Sequence, residues 1–180
     1  MSDLDPLLKR LHLAWARRNW RALVERAEKE HWTHEAVLQT LFAEEVAHRR
    51  GTRLARATAA AGFPFLRTVE EFDFSYQSTL RLTSIGSLLA PDFVTEGGAV
   101  ILEGKPGRGK THLAVAIAYR ALQHGFDALF TTCADLIDEL SAASRKGNLR
   151  EAVARYARPH LLVVDEVGYL TYGDNAANVL

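Results

Sequence analysis

Residues 99–111 read AVILEGKPGRGKT, and this stretch decides the fold that we expect. The apolar run at 99–103 predicts a short buried strand. The segment 104–111 matches the pattern G-x-x-x-x-G-K-[ST] of a phosphate-binding loop. A helical pattern then runs over 110–124 and ends at Gly125. Strand, glycine-rich loop and helix in this order are the context that the motif requires.

The loop GKPGRGKT contains the groups that hold a phosphate. Its glycines let backbone N–H groups turn toward an anion, and the helix that follows adds its positive end. Lys110 is expected to reach the β- and γ-phosphates of a nucleotide, and the Thr111 hydroxyl to bind Mg²⁺. A chance glycine turn with a surface lysine is the alternative. The predicted ATP-binding residues are Gly104, Lys105, Pro106, Gly107, Arg108, Gly109, Lys110 and Thr111.

Strands and helices alternate beyond the loop. ALFTT at 128–132 predicts a second strand, and Thr132 with Asp135 forms a capping box for the next helix. Residues 149–156 predict a further helix, and 161–165 a third strand. This order is typical of a parallel α/β sheet with right-handed crossovers.

Two adjacent carboxylates, Asp165 and Glu166, follow the apolar run LLVV. Ligands gather at the carboxyl ends of the strands in open α/β sheets. Asp165 is therefore expected to hold Mg²⁺ together with Thr111, and Glu166 to orient a water for attack on the γ-phosphate. Glu166 and Lys110 are the predicted catalytic residues. The alternative is that the two acids only cap the next turn.

The first sixty residues predict helices throughout. Asn19 and Thr33 are candidate N-caps of a second and a third helix, and the third pattern runs toward Ala61. The periodicity is lost from 63 to 93, where aromatic residues and turn formers predict an ordered linker that packs on another part of the chain.

Four arginines fall within eight residues of the third helix, at helical offsets near three and four. Such a stripe can follow a nucleic-acid backbone with little sequence specificity. A solvated helix face or an oligomer contact is the alternative. The predicted DNA contacts are Arg49, Arg50, Arg53 and Arg56.

Composition narrows the class of protein. A formal net charge of zero and 48% hydrophobic residues argue against disorder and against a generally polyanion-binding surface, so any DNA surface must be local. Cys133 is the only cysteine, which excludes an internal disulfide framework. No segment approaches the ~20 apolar residues of a transmembrane helix, and the N-terminus lacks a signal-peptide pattern. We therefore expect a cytoplasmic protein without a membrane partner.

Three stretches of the second half resemble the IstB-like transposition-helper ATPases of insertion sequences, which belong to the AAA+ class, and their relatives, the DnaC-type helicase loaders. The stretches are GKPGRGKTHLAVAIAYRAL (104–122), FTTCADLIDEL (130–140) and RPHLLVVDEVGYL (158–170). Upstream, 43–77 resembles the family's helical N-terminal region and its F-D-F linker, in which Phe72 and Phe74 match.

The resemblance implies a homo-oligomer that ATP assembles on DNA and that works with a partner transposase. It also implies that the loop lysine and threonine and the acid pair occupy the family's nucleotide and Mg²⁺ positions, and that the linker packs near the nucleotide. The family continues past residue 180 with a strand between 99–103 and 161–165, a sensor residue and an arginine for the neighbouring subunit. We therefore expect a truncated chain that binds ATP and hydrolyses it inefficiently.

Together these patterns predict an α/β P-loop NTPase fold of the AAA+ type. Its parallel sheet is expected to be incomplete at the C-terminus and to follow an all-α N-terminal domain. The predicted domains are a helical domain at 1–68 for oligomer or DNA contact, a linker with the F-D-F motif at 69–94 and an ATPase domain at 95–180. A DnaC-type helicase loader, or a non-enzymatic DNA-binding fragment that co-assembles with a longer relative, remains an alternative.

Overall fold

A computed structural model of the chain describes residues 4–75 and 82–167. It forms two compact units, Met1–Ala55 and Arg56–Leu180, and the division falls within the third helix. The elements of the described ranges are α1 (Leu4–Arg10), α2 (Ala14–Lys29), α3 (His34–Ala60), α4 (Leu82–Ile85), a 3₁₀ turn (Gly86–Leu89), α5 (Pro91–Thr95), α6 (Lys110–His124), β1 (Ala128–Thr132), α7 (Cys133–Lys146), α8 (Leu149–Ala157) and β2 (Leu161–Asp165).

The first unit contains α1, α2 and most of α3. Thr33 caps α3 as predicted, because its Oγ1 accepts the Ala36 N–H at 3.2 Å. The prediction that Asn19 caps the second helix is wrong, since α2 begins at Ala14 and Asn19 lies inside it. There the Asn19 side chain donates to the Trp15 carbonyl at 2.8 Å.

The second unit is built on a parallel pair of strands. β1 and β2 align from Ala128↔Leu161 to Thr132↔Asp165, which confirms both predicted strands. On the other side of β1, the Phe130 N–H donates to the Ala61 carbonyl at 2.7 Å. Helix α6 packs on both strands and α7 packs on β1, so the unit has α/β architecture.

Local signals define the helix ends of the second unit. The Thr132 Oγ1 accepts the Asp135 N–H at 3.1 Å, so the predicted cap of α7 is confirmed. Helix α6 ends at Gly125, as predicted, and α7 ends at Gly147. Both glycines have a left-handed backbone conformation that side chains disfavour.

Residues 99–103 do not form a strand, so the strand predicted before the loop is wrong. The Ile101 side chain is 92% exposed. Within 4–75 and 82–167, β2 pairs with β1 alone, and no strand lies beside 99–103. Without a neighbouring strand, the N–H and C=O groups of an extended segment have no ladder to join.

The described residues of the predicted linker pack on α6. Val69, Phe72 and Ile85 form a core cluster with apolar residues of that helix. The segment also contains α4, the 3₁₀ turn and α5, short elements that the sequence pattern did not indicate. Residues 76–81, including the end of the FDFSYQ stretch, lie outside the described ranges. The domain boundaries at 68 and 94 stay a prediction.

A search of the described parts of the chain for membrane-spanning helices found none that is both long and apolar enough.

Candidate functional site

The lysine of the glycine-rich loop folds back over the loop itself. Its Nζ donates to the Gly104 carbonyl at 2.8 Å and to the Lys105 carbonyl at 3.1 Å. Lys110 is also the first residue of α6, so its ammonium group lies beside the helix N-terminus. The loop therefore has a cation and a positive helix end at one place, an arrangement that suits an anionic ligand.

Two features of the structure require a glycine at position 109. Its φ of 84° lies in the left-handed region, where side chains are disfavoured. A Cβ atom there would also lie only 2.8 Å from Cε2 of Phe72. Phe72 of the linker thus packs directly against the loop at the point where α6 begins.

The loop threonine and the strand-end aspartate meet in the structure. The Thr111 Oγ1 donates to the Asp165 Oδ2 at 2.7 Å, although 54 residues separate the two in the chain. The other carboxylate oxygen of Asp165 accepts the Glu166 N–H at 2.9 Å. A hydroxyl and a carboxylate that were both predicted as metal ligands therefore lie together beside the loop.

Glu166 directly follows β2 and has an exposed side chain. Its φ is 59°, which is uncommon for a residue other than glycine. Glu166 and Lys110, the two predicted catalytic residues, both line the same cleft.

This cleft has a volume of about 550 Å³, which suits a small-molecule ligand. Besides the loop and the acid pair, it is lined by residues that sequence reasoning did not assign to a site. These are Pro64, Phe65, His112, Phe130 and Thr132. The aromatic-rich stretch FPFL at 63–66 was the available signal for Phe65.

The four predicted DNA-contacting arginines all lie on α3, but they are not equivalent. Arg49 donates through Nε to the Glu45 Oε1 at 2.9 Å and through Nη2 to the His12 carbonyl at 2.6 Å. Its guanidinium group is therefore engaged within the first unit. Arg50, Arg53 and Arg56 are exposed.

Comparison with known protein families shows which family this chain belongs to. The family described as IstB-like ATP binding protein matches residues 6–180. The chain belongs to this family. The predicted family is confirmed, and with it the P-loop fold class.

Several insertion-sequence proteins are similar to this chain. A protein named for ATP binding in insertion sequence IS5376 of Geobacillus stearothermophilus is 30% identical over 95% of this chain and 68% of its own length. A Sinorhizobium fredii protein with a corresponding name is 31% identical over 98% of the chain and 60% of its own length. The chain thus spans 60% to 68% of the length of these relatives.

The similarity to a helicase loader covers a smaller part of the chain. The replicative helicase loader DnaC of Buchnera aphidicola is 29% identical over 57% of this chain and 43% of its own length.

Proposed function

We propose that this chain binds ATP with Mg²⁺ on the loop 104–111 and acts as an ATP-dependent helper of DNA transposition. The observation that carries the nucleotide site is the 2.7 Å hydrogen bond between Thr111 and Asp165, next to the folded-back Lys110. Membership of an ATP-binding family supports the choice of ligand.

The loop groups have separate roles in this proposal. Backbone N–H groups of the loop and of the first turn of α6 hold the phosphates. Lys110 exchanges its two carbonyl partners for phosphate oxygens, which are stronger acceptors because they are charged. Gly109 lets the backbone approach the ligand without a side chain between them.

The residues present fit Mg²⁺, because hydroxyl and carboxylate oxygens are the hard ligands that this ion prefers. Thr111 and Asp165 would hold the ion, which would neutralise charge on the phosphates. Glu166, exposed at the same cleft, would orient the attacking water. In the described part of the chain, no group of three or more His, Cys, Asp or Glu side chains offers another metal site.

The role in transposition rests on the relatives. Three proteins named for insertion sequences match 95% to 99% of this chain and others match 60% to 86%, whereas the DnaC match covers 57%. This difference favours a transposition helper over a helicase loader. DNA, a partner transposase and further copies of the chain are the proposed partners. The single cysteine, Cys133, is buried and unpaired, in keeping with a reducing compartment such as the cytoplasm.

Isothermal titration calorimetry with a non-hydrolysable ATP analogue and Mg²⁺ tests the nucleotide site. We expect Lys110→Ala to weaken binding at least roughly tenfold, because charge-assisted hydrogen bonds contribute about 1.5–3 kcal/mol. Lys29→Ala is the matched control, since Lys29 is an exposed lysine of the first unit whose ion pair with Glu25 is also exposed to solvent. Equal affinities of the two variants contradict the proposal.

Thr111→Ala tests the metal-binding role. We expect this variant to bind the ATP analogue more weakly than the wild-type protein when Mg²⁺ is present, and with the same affinity as the wild-type protein in EDTA. A wild-type chain that binds no nucleotide yet binds DNA would instead support the alternative of a non-enzymatic DNA-binding fragment.

A further inference from the structure

The first turn of α6 contains a histidine that the proposed chemistry does not use. The ring Nε2 of His112 lies 2.9 Å from the Thr68 carbonyl oxygen. A carbonyl oxygen only accepts, so Nε2 carries the hydrogen and donates it. His112 therefore joins the start of α6 to a linker segment 44 residues earlier in the chain.

The same ring also contacts the aromatic residue that packs on the loop. The ring centroids of His112 and Phe72 are 5.2 Å apart and the planes are nearly perpendicular, at 82°. This edge-to-face arrangement is the favourable one for aromatic rings. Phe72 in turn occupies the space beside the Cα atom of Gly109. Contacts thus run from Thr68 to His112, from His112 to Phe72, and from Phe72 to the loop.

The linker segment that His112 holds is a closed turn. The Thr68 N–H donates to the Glu71 side chain at 3.0 Å, and the Phe72 N–H donates to the Val69 carbonyl at 3.2 Å. Val69 and Phe72 are buried on α6. The bond from His112 to Thr68 therefore adds a tie between the start of α6 and the turn that carries Phe72.

We propose that His112 is a positioning residue for the phosphate-binding loop. It acts through Thr68 and Phe72, which hold the backbone at Gly109 in the conformation that receives the phosphates. This inference rests on the proposed nucleotide site. It goes beyond that proposal by giving the linker a part in nucleotide affinity, with the imidazole acting through Thr68 and Phe72 and not in the chemical step.

The helix offers a matched control for this proposal. His124, in the last turn of α6, has its Nε2 3.2 Å from the Leu89 carbonyl oxygen. The two histidines therefore make the same kind of bond on one helix, but only His112 lies at the loop. A purely structural role predicts equal effects of the two bonds on nucleotide affinity, whereas a positioning role does not.

The experiment measures the Kd for the Mg²⁺-bound ATP analogue in the full chain, well below the unfolding midpoint of every variant. We expect His112→Ala to weaken binding roughly five- to tenfold, as for loss of one hydrogen bond. His124→Ala should bind like the wild-type protein. His112→Gln should restore most of the affinity, because its amide nitrogen can donate from nearly the position of Nε2.

Three results overturn the inference. They are wild-type affinity in His112→Ala, equal weakening in His112→Ala and His124→Ala, and no recovery in His112→Gln. If the wild-type chain itself binds no nucleotide, the proposed function fails and this inference fails with it. Normal binding by the wild-type chain and by His112→Ala overturns the positioning role alone.

Discussion

At the scale of single residues, Glu45 is a buried carboxylate that holds the start of α2. It accepts the N–H groups of Trp15 at 2.8 Å and Ala16 at 3.0 Å, and the Arg49 side chain at 2.9 Å. Leu13, the N-cap residue of α2, has no side-chain cap of its own. A carboxylate from α3 therefore satisfies the first N–H groups of α2 and complements its positive end.

Glu45→Gln is expected to destabilise the first unit by about 1–3 kcal/mol, because buried donors lose a charged acceptor. Urea unfolding followed by tryptophan fluorescence measures this unit, since all three tryptophans (Trp15, Trp20 and Trp32) lie in Met1–Ala55. Glu44→Gln is the control, because Glu44 is the adjacent carboxylate and is exposed. Similar losses in both variants would falsify the capping role.

The same carboxylate predicts a pH dependence. Burial acts to raise the pKa of Glu45, but hydrogen bonds from Ala16, Arg49 and Trp15 outweigh it and lower the pKa below its ordinary value of 4.5. A lowered pKa in the folded state stabilises the protein above the unfolded pKa, and this contribution is lost as the pH falls through the folded pKa.

The difference in unfolding free energy between wild type and Glu45→Gln should therefore be largest near neutral pH and shrink below about pH 4.5. The same urea titrations, repeated from neutral to acidic pH, measure it. A difference that stays constant into strong acid contradicts this assignment.

At the scale of elements, the arginines of α3 have two different roles, and their spacing in the sequence does not show which arginine has which role. Arg49 forms an ion pair with the buried Glu45. If Arg49 moved to bind a DNA phosphate, the buried carboxylate of Glu45 would lose this partner, which is unfavourable. Arg50 and Arg56 are exposed on the same helix. The proposed DNA contacts therefore depend on Arg50 and Arg56 more than on Arg49, whose guanidinium is held by Glu45.

Arg50→Ala combined with Arg56→Ala should weaken DNA binding to a similar extent on every sequence. It should also reduce the slope of log K against log salt by about one to two, because each phosphate contact contributes roughly 0.9. Fluorescence anisotropy of a labelled duplex over a salt series measures both effects. Arg18→Ala combined with Lys29→Ala removes the same charge from α2 and is the control; an equal effect there contradicts a local DNA surface on α3.

The ends of the helices show which capping residues can be recognised from the sequence. Thr33, the Thr132–Asp135 pair and Gly125 were predicted correctly because caps act over three or four residues. Asn19 was wrong because α2 begins earlier, at Ala14, where Glu45, about 30 residues away, accepts the N–H groups of Trp15 and Ala16. A cap supplied from another helix has no pattern in the local sequence.

At the scale of the whole molecule, the described part of the second unit has a two-stranded sheet and a short, mostly exposed apolar segment at 99–103. Two isoleucines illustrate the contrast: Ile117 on α6 is 3% exposed, and Ile101 before the loop is 92% exposed. The apolar run at 99–103 predicts a buried strand, so Ile101 was expected to be buried. Burial of the isoleucine side chain therefore contributes to the free energy of unfolding at position 117 but hardly at position 101.

Ile117→Ala should destabilise the second unit by about 2–5 kcal/mol, as for other buried isoleucines. Ile101→Ala should stay within about 0.5 kcal/mol of the wild-type protein, because it removes a side chain already in water. Urea unfolding followed by circular dichroism measures both. If Ile101→Ala is as costly as Ile117→Ala, residues 99–103 form a buried strand in solution.

The sequence by itself determined the features that depend on residues close together in the chain. It determined the phosphate-loop pattern, the strands at 128–132 and 161–165, the helix between Lys110 and Gly125, and the family. The loop, the strands and the helix follow from residue spacing within one element or one turn, whereas the family follows from the resemblance of longer stretches; both are visible without coordinates.

Only the tertiary structure decided which distant groups meet. The bond between Thr111 and Asp165 depends on the parallel register that places the end of β2 beside the start of α6. The Glu45 cap and the contact of Phe72 with Gly109 depend on how segments pack, and among the described residues no strand lies beside 99–103 to pair with it. Packing brings together groups that lie about 30 to 54 residues apart in the chain, and no local pattern records which pairs will meet.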